Sequence, residues 1–585
     1  MMLKKRLLII FIGLISLSIL EFQYFNQAFH TPKDSIYLGT VHYPPDYFSY
    51  LSYMVQGKDH LLSSTILYTS EKTPLVLVRW QYVLWGKLLS FFPLNTGQMY
   101  QIAVVIFTIG FMVSGYKLIS LLLEKYEERI LAFVFFVSST AWPLVKIVDG
   151  RLSFSYHYYW FNTGNFFTRF SPTPNHLLGS ILLTSGFILV LRWCKKIHTI
   201  RKIPYLLYNF AFVFIGLTLA SISPMHWILF LGSLTGLMVI LALRDLIIAK
   251  KTFFSITNFA VVIARTPTLR RGTWQSDERF PRSPALCGIA RNDRGAKLES
   301  ILKYLQPILF SIAGGLPAIL YMLSVSKVFP YNSGISWEAT KQVFMDFPNL
   351  FFASGIVILF ASLGCYSYFR HKFFNPERLV TLFFLTISLA FFFTDLPWQL
   401  GTSNVRYWPE GIYVFIAVLA SYGVFFLARL AKKAKYFVLT IILLLYLGTT
   451  IPTFIAEFNE KSEIIISNIY YLPNTIYDIY QFASRTIKRP SVFLLPWPYD
   501  FSFPAFTGQK SFTGHPLSHM TIDADKKYTL SAQFFSGTLD EKKVQEDLKR
   551  NGIQYILTPN KSVIEKYSFL KNLYSRGDAA VFEVR

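Results

Sequence analysis

The chain has 585 residues, of which 53% are hydrophobic, 18% aromatic and only 15% charged. The apolar residues come in long runs, so the composition excludes a soluble globular protein and predicts a polytopic α-helical membrane protein. The net charge of +24 does not indicate a nucleic-acid partner, because Lys and Arg gather beside the ends of the apolar runs.

Apolar runs of roughly 15 to 25 residues, long enough to cross about 30 Å of hydrocarbon, predict about eleven transmembrane helices. The runs start near Leu7, Met99, Ile130, Leu177, Tyr205, Trp227, Leu305, Phe351, Leu379, Gly411 and Phe437. The first run is short and follows lysines, which is also typical of a signal peptide. No small-residue cleavage site follows it, so we interpret it as an uncleaved first span.

Clusters of Lys and Arg flank alternate ends of these runs. They lie at residues 4–6, 125–129, 192–202, 244–251, 370–378 and 429–435. The positive-inside rule then predicts a multi-pass protein of the plasma (inner) membrane with a cytoplasmic N-terminus and an extracytoplasmic C-terminus. This threading requires residues 74–92 to lie in the membrane interface, as their mixture of Arg79 and Lys87 with tryptophans indicates.

The first outer loop, residues 22–98, contains one acid in an unusual setting. Asp46 follows two prolines and precedes a run of tyrosines in residues 41–57. A carboxylate in a loop on the outer face can act as a general base. Asp is also a favoured N-cap residue, so Asp46 can equally cap a helix beginning at Tyr47, and the two roles are compatible.

Two arginines stand out because they violate the positive-inside trend. Arg169 and Arg406 fall in predicted outer loops, and the planar guanidinium group suits phosphate oxygens. The alternative is that each arginine only anchors the end of a span by snorkelling. His176 and His226, at outer span ends, could bind phosphate or assist proton transfer, although a lone histidine among aromatics is more often an interfacial residue.

Metal and nucleotide chemistry receive little support. The sequence has no CxxC, no HExxH and no Walker-type glycine loop. Four outer acids, Asp59, Asp149, Glu338 and Asp395, could hold a divalent ion or an acceptor, but they lack a ligand spacing. We therefore predict no resident cofactor and no defined metal site, with a divalent cation left possible.

Two segments differ from the membrane pattern. Residues 266–297 form a polar, arginine-rich insert that the threading places in the cytoplasm, and we assign it no catalytic role. Residues 456–585 are predicted to form a small extracytoplasmic α/β domain after a transmembrane domain at 1–455. Its predicted strands include the short apolar runs at 491–495, 554–557 and 580–584.

The arrangement resembles the GT-C membrane glycosyltransferases, which include protein O-mannosyltransferases and lipid A aminoarabinose transferases. The resemblance rests on the first outer loop with its early Asp46, the motif Glu71-Lys-Thr-Pro-Leu75, the many spans and the external C-terminal domain. It implies a polyprenyl-phosphate-linked sugar donor that enters from the membrane lipid, and an acceptor that is a glycan, a lipid or a protein. Asp46 is then the catalytic base, and the substrate-binding residues are Arg169, Arg406, His176 and Tyr47, which follows Asp46 where the family often has a second acid.

Two other classes remain open from the sequence. A transporter or flippase of a lipid-linked precursor would place paired charges within the spans, whereas the polar residues here gather in outer loops. A non-catalytic scaffold that displays the C-terminal domain would need neither Asp46 nor the two arginines.

Overall fold

The fold is seen in a computed structural model, which describes residues 2–41, 43–157, 162–170, 173–197, 202–265, 285–344, 346–370, 373–514 and 520–585. Helices dominate it. They are α1 (Met2–Phe29), α2 (Pro44–Val55), α3 (Trp80–Leu89), α4 (Thr96–Leu122), α5 (Tyr126–Ser138), α6 (Phe166–Arg169), α7 (Pro174–Lys196), α8 (Lys202–Ile222), α9 (Pro224–Arg265), α10 (Ala285–Val325), α11 (Tyr331–Ala339), α12 (Phe347–Ser354), α13 (Val357–Arg370), α14 (Pro376–Phe392), α15 (Leu396–Gln399), α16 (Ile412–Leu430), α17 (Lys435–Ser462), α18 (Asn474–Thr486), α19 (Tyr499–Thr507), α20 (Ala524–Phe535) and α21 (Glu541–Arg550).

Strands are short and few. They are β1 (Ser35–Tyr37), β2 (Pro143–Val148), β3 (Arg151–Tyr156), β4 (Tyr471–Pro473), β5 (Val492–Leu494), β6 (Lys510–Ser511), β7 (Tyr555–Thr558), β8 (Leu570–Arg576) and β9 (Ala579–Val584). Single 3-10 turns lie at Gln56–Lys58, Asn404–Tyr407, Lys432–Ala434 and Lys561–Val563.

The membrane character is clear, but the number of spans differs from the sequence-based prediction. Each of the eleven predicted runs coincides with a helix or a helix pair. Within the described residues, however, eight helices are long and apolar enough to cross a membrane, and the pair α12 and α13, bent by 105°, could form a ninth. The two others, α5 with 13 residues and α14 with 17, fall short of the approximately 20 residues that a bilayer requires.

Glycines allow the closest helix pairs to form. A Cβ atom at Gly364 of α13 would collide with the Leu419 carbonyl of α16, and one at Gly423 would collide with the Phe360 carbonyl. Small residues at such crossings let two backbones approach, and this is a main source of helix association where lipid removes the hydrophobic driving force. The same contact fixes α16 in the centre of the bundle.

The first loop, residues 22–98, folds back onto the end of the bundle, which we call the first-loop end. Helix α3 is only ten residues long, too short to cross a bilayer, in agreement with the interfacial placement predicted for residues 74–92. Helices α2 and α3 cross closely because Gly57 and Gly86 have no side chains, so that a Cβ on Gly86 would strike the Met54 carbonyl.

The C-terminal region contains helices and a β-sheet. Its five-stranded sheet has the order β6-β5-β7-β9-β8, with β6, β5 and β7 parallel and β7, β9 and β8 antiparallel. The predicted apolar runs correspond to β5, β7 and β9, which are the three central strands. The edge strands β6 and β8 were not predicted, because edge strands carry less of the apolar signal.

The sheet unit is docked on the first loop. The amide of Ser511 in β6 donates to the Leu67 carbonyl at 2.8 Å, and Tyr68 Oη donates to the Phe501 carbonyl at 2.9 Å. Lys527 Nζ contacts the Glu71 carboxylate at 2.6 Å. The loop therefore covers the open edge of the sheet, which would otherwise present unpaired backbone groups.

The structure can be compared with the predicted start of the C-terminal domain and with the bounds of the predicted insert. The predicted start of the C-terminal domain at residue 456 lies inside α17 (Lys435–Ser462), so the helix carries the chain from the bundle into the sheet unit. Of the insert at 266–297, residues 266–284 lie outside the described residues. Residues 285–297 form the first part of α10.

Candidate active site

Six charged or titratable side chains meet at the first-loop end, and we call them the Asp46 cluster. Its members are Asp46, Arg79, His176, Glu338, Arg406 and Glu410. Asp46 lies within electrostatic reach of Arg79, Arg406, His176 and Glu338, and the others are linked by direct contacts. Residues up to 364 positions apart in the sequence are thus brought together by the packing of the loops on the bundle.

Asp46 lies in the first turn of α2 and does not cap it. The helix begins at Pro44, and the N-cap position is Tyr43, which makes no side-chain capping hydrogen bond. A carboxylate in the first turn is favoured by the helix dipole. Burial raises the pKa of Asp46 above its usual value, and the nearby arginines oppose that shift only in part. A raised pKa makes the carboxylate a stronger base.

Arg406 is engaged by an acid from a different helix. It lies in the 3-10 turn Asn404–Tyr407, and its Nε donates to Glu338 Oε1 at 2.7 Å while Nη2 donates to Oε2 at 3.3 Å. Although burial disfavours the ionised acid, the charge and hydrogen bonds of Arg406 hold the pKa of Glu338 below its usual value. The pair is therefore fully charged at neutral pH.

His176 links this pair to a second acid. Its Nδ1 lies 3.1 Å from Glu410 Oε1, and its Nε2 lies 3.4 Å from Arg406 Nη1. Ser180 Oγ donates to the other Glu410 oxygen at 2.9 Å. Since Arg406 can only donate, Nε2 of His176 accepts from Arg406 and Nδ1 donates to Glu410. His176 thereby orients Arg406 from behind.

Arg79 is a cation of the Asp46 cluster whose guanidinium group is not bonded to another member of the cluster. Among the described residues its guanidinium group makes no hydrogen bond or ion pair, and its closest partner is the Tyr50 ring, 5.5 Å away. The residue precedes α3 in a left-handed conformation, with φ of 64°. Such a conformation costs a residue other than glycine of the order of 1 kcal/mol and marks a position that the surrounding fold determines.

A stack of tyrosines forms the wall beside Arg79. The rings of Tyr50 and Tyr82 are nearly parallel with centroids 4.9 Å apart, and Tyr82 is parallel to Tyr100 at 6.4 Å. Tyr82 Oη donates to Asn175 Oδ1 at 2.6 Å, which ties the stack to the start of α7. Tyr50 is the half-exposed end of the stack, and aromatic faces of this kind suit the apolar face of a sugar or a prenyl chain.

Arg169, predicted to bind substrate, lies elsewhere. It is fully buried in the bundle, where Nη1 donates to Ser139 Oγ at 2.9 Å and Nη2 donates to the Ser139 and Gly164 carbonyls. Its guanidinium carbon lies 3.9 Å from the centre of the Tyr413 ring. The side chain joins α5, α6 and α16, and the structure does not bring it to the Asp46 cluster.

Tyr47 also points away from the cluster. Its side chain is fully buried, and Oη donates to the Leu38 carbonyl at 2.7 Å. A Cβ on Gly39 or Gly97 would come within about 3 Å of that hydroxyl group. The tyrosine holds the start of the first loop against α4.

The described residues offer no evident ligand set for a metal. They contain no group of three or more His, Cys, Asp or Glu side chains in metal-binding proximity. In the Asp46 cluster, Glu338 and Glu410 are each engaged by another member. His226, which lies buried behind His176 with no hydrogen bond to Nδ1 among the described residues, faces Gly179. We therefore derive no step through a metal ion.

The structure brings the predicted residues Asp46, His176 and Arg406 together with Arg79, Glu338 and Glu410, which the sequence analysis does not assign to the site. The sequence analysis predicts Arg79 to be an interfacial cation, although it also lies on the predicted outer face. The same violation of the positive-inside trend that singled out Arg406 could have found it. No local signal marks Glu338 and Glu410, because their partners are 68 and 234 residues away.

Comparison with known proteins supports the fold. No protein-family model matches the sequence, and no curated protein matches it. The apo crystal structure of the Archaeoglobus fulgidus oligosaccharyltransferase is similar with a TM-score of 0.51 and 12% identity, over 99% of this chain and 74% of that chain.

Two further structures of the archaeal protein are also similar. One is tethered to an acceptor peptide containing the NVT sequon (TM-score 0.48, 13% identity, 99% of this chain and 74% of that chain). The other is in complex with an inhibitory peptide and a dolichol-phosphate (TM-score 0.47, 14% identity, 94% and 69%). The likeness to the apo structure, at 12% identity, is one of fold, and the chain has the GT-C fold that the sequence resemblance implied.

Proposed function

We propose that this protein is a membrane glycosyltransferase that moves a sugar from a polyprenyl-phosphate-linked donor to an acceptor at the outer face of the membrane. The observation that carries the proposal is the pair formed by Asp46 and Arg79. Among the described members of the Asp46 cluster, these two have no hydrogen bond or ion pair to another side chain, whereas Arg406, Glu338, His176 and Glu410 are engaged with one another.

The proposed reaction uses the two cluster members, Asp46 and Arg79, that are not bonded to the others. Asp46 accepts the proton of the acceptor group as the acceptor atom forms the new bond to the anomeric carbon. The bond from that carbon to the phosphate oxygen breaks, and its electron pair leaves with the phosphate. Arg79 stabilises the negative charge that develops there.

The remaining members of the cluster arrange the site. Arg406 presents its guanidinium group to the same space, held by Glu338 on one side and His176 on the other. It can therefore serve as the second phosphate contact without a large loss of side-chain entropy on binding. Tyr50, at the end of the tyrosine stack, supplies an aromatic surface next to Arg79.

The proposal changes the roles first considered for two residues. Arg169 and Tyr47 support the fold around the site, since each is buried, with Arg169 Nη1 and Nη2 bonded to Ser139 and to backbone carbonyls and Tyr47 Oη bonded to a backbone carbonyl. We further propose that the protein resides in the plasma (inner) membrane with a cytoplasmic N-terminus and an extracytoplasmic C-terminus. The acceptor is a glycan, a lipid or a protein.

The test replaces Asp46 by Asn in the full-length protein and measures transfer of a labelled sugar from a polyprenyl-phosphate-linked donor. Asn is nearly isosteric but does not accept a proton at neutral pH, so transfer is expected to fall by at least about 100-fold. Asp395→Asn, which changes an exposed acid in a neighbouring loop, is the matched control and should retain activity. Full transfer by the Asp46→Asn protein would remove this residue from catalysis and with it the proposed mechanism.

A further inference from the structure

Four cations lie at the far ends of α2 and α3 from the Asp46 cluster, and we call them the basic rim. They are Lys58, Lys87, Arg485 and Arg489. Asp46 lies in the first turn of α2, which has 12 residues, and Lys58 lies in the 3-10 turn that follows this helix. The helical rise separates the two residues by about 18 Å. The basic rim is therefore separate from the Asp46 cluster.

Direct contacts bring the basic rim together. Lys87 Nζ donates to the Lys58 carbonyl oxygen at 3.4 Å. Arg489 Nη1 lies 3.0 Å from a carboxylate oxygen of Asp59, the residue after Lys58. Arg485, in the last turn of α18, lies within electrostatic reach of Lys58. Two segments of the first loop and one segment of the C-terminal region thus contribute to one surface.

The basic rim carries more positive charge than its acidic neighbour neutralises. Asp59 pairs with Arg489, whereas Lys58, Lys87 and Arg485 make no ion pair with an acid of the described chain. Burial, together with the charges of Arg489 and Arg485, lowers the pKa of Lys58. The charge of Asp59 opposes this shift only in part. Cations held this close repel one another, and a bound anion relieves that repulsion.

An exposed apolar surface begins beside Lys87, and we call it the apolar corner. It consists of Leu88, in the last turn of α3, and of Phe91 and Phe92 in the turn after that helix. These three residues are 51%, 79% and 58% exposed. Neighbouring exposed apolar side chains of this size are typical of a surface that contacts lipid or another protein.

The packing of α3 places the apolar corner at the level of the membrane. Trp85 Nε1 donates to the Met99 carbonyl of α4 at 2.9 Å, and the Trp85 ring lies 5.5 Å from the ring of Phe107. Helix α4 is one of the helices long and apolar enough to cross a membrane. Helix α3 therefore lies beside the first turns of a spanning helix, where the apolar corner meets lipid. Cations that flank an apolar edge at this depth are typical of segments that bind anionic lipid.

We propose that the basic rim and the apolar corner bind an anionic phospholipid, one whose phosphodiester carries the only charge of the headgroup. The rim cations contact the phosphate, and the apolar corner contacts the acyl chains. The basic rim selects such a lipid over a zwitterionic one, because the ammonium group of a zwitterionic headgroup is repelled by the same cations. This inference depends neither on the proposed transferase activity nor on the orientation of the chain in the membrane.

The test measures lipid binding to the full-length protein by native mass spectrometry. The probes are phosphatidylglycerol, phosphatidylcholine and phosphatidylethanolamine with the same acyl chains. Phosphatidylglycerol should bind about tenfold more tightly than either zwitterionic lipid, because each cation near the membrane surface attracts an anionic headgroup. Equal binding of the three lipids to the wild-type protein would overturn the proposal, and this measurement needs no variant to fold.

Variants assign the preference to the basic rim. Lys58→Gln combined with Lys87→Gln should reduce the preference for phosphatidylglycerol to about twofold or less. The matched control, Lys33→Gln combined with Lys543→Gln, removes the same charge from two exposed lysines elsewhere and should keep the full preference. A preference retained in the Lys58 and Lys87 variant, or lost equally in the control, would overturn the assignment.

Two further arms exclude other sources of the anion. Glycerol phosphate lacks acyl chains, so it should not displace bound phosphatidylglycerol at comparable concentrations. Displacement as efficient as that by the lipid would assign the basic rim to a soluble phosphate and overturn the lipid assignment. Arg79→Gly should leave the preference unchanged, because Arg79 belongs to the Asp46 cluster. Loss of the preference in this variant would move the anion to that cluster and overturn the proposal.

Discussion

Replacing the two arginines of the Asp46 cluster one at a time should separate substrate binding from stability. We choose Arg79→Gly and Arg406→Gln. Glycine adopts positive φ without strain, so the first change keeps the backbone conformation before α3 while removing the guanidinium group. The second change keeps a long polar side chain but removes the charge that Glu338 faces.

The structure sets the expected magnitudes for these changes. Loss of Arg79 removes a contact with the Tyr50 ring, at a cost of about 0.5–1 kcal/mol. A charge-assisted contact to a phosphate is worth about 1.5–3 kcal/mol, so donor affinity should fall by roughly 10- to 100-fold. The side chains of Arg406 and Glu338 are 23% and 19% exposed. Their ion pair is therefore intermediate between a solvent-exposed pair and a fully buried one. Loss of Arg406 should therefore lower the free energy of unfolding by about 2 kcal/mol.

The assay combines two measurements on each detergent-purified full-length variant. Donor affinity is measured by titration with a polyprenyl phosphate, and stability by the midpoint of thermal unfolding. We expect Arg79→Gly to lose affinity with little change in the midpoint. Arg406→Gln should lower the midpoint clearly, and Arg406→Gln combined with Glu338→Gln should restore part of it, because the unpaired acid is removed. Unchanged donor affinity in Arg79→Gly would refute the assignment of this arginine to the phosphate.

Three further predictions concern protonation and topology. Burial raises the pKa of Asp46, and a general base must be ionised to act. On acidification, kcat/KM should therefore begin to fall at a pH above the ordinary pKa of aspartate. A fall in kcat/KM only near pH 4 would contradict this. Burial raises the pKa of Asp500 from 3.8 to about 7, so the folded protein prefers the neutral acid, and this contribution is complete below about pH 4 and is lost as the pH rises through 7. Measured as thermal midpoints, Asp500→Asn should therefore gain stability relative to the wild type as the pH rises from 4 to 7, and a constant difference over that range would count against it. Cysteines at Ser63 and Ser333 should react with an impermeant thiol reagent from outside intact cells while one at Ser120 should not, and the reverse pattern would invert the proposed orientation.

The sequence by itself determined the class and much of the secondary structure. Long apolar runs predict membrane helices because the bilayer sets the length of a span. The short apolar runs of the C-terminal region predict β5, β7 and β9 because the centre of a sheet is buried on both faces. The mixed charged and aromatic composition of residues 74–92 also predicts a segment that does not span the membrane, and α3 has only ten residues.

Local sequence patterns do not fix the exact ends of helices or the contacts that a side chain makes in the fold. The apolar runs at Ile130 and Leu379 form helices of 13 and 17 residues, shorter than the other predicted spans, because hydropathy marks an apolar segment without fixing where its helix ends. The role of Asp46 as a helix cap was also open from the sequence. In the fold the helix starts at Pro44, three residues before the predicted start at Tyr47, and the Asp46 carboxylate lies in its first turn, within electrostatic reach of the cluster.

Only the tertiary structure decided which charges are available. Arg169, Arg406 and Arg79 are equivalent in sequence, each an arginine in a predicted outer loop. In the fold, Arg169 donates hydrogen bonds to Ser139, and Arg406 forms an ion pair with Glu338. Arg79 lies near Asp46 and is not bonded to another member of the cluster. The physical reason is that a charge is neutralised by whatever lies within a few ångströms of it. Here those partners come from distant parts of the chain, so that proximity exists only once the loops have packed on the bundle.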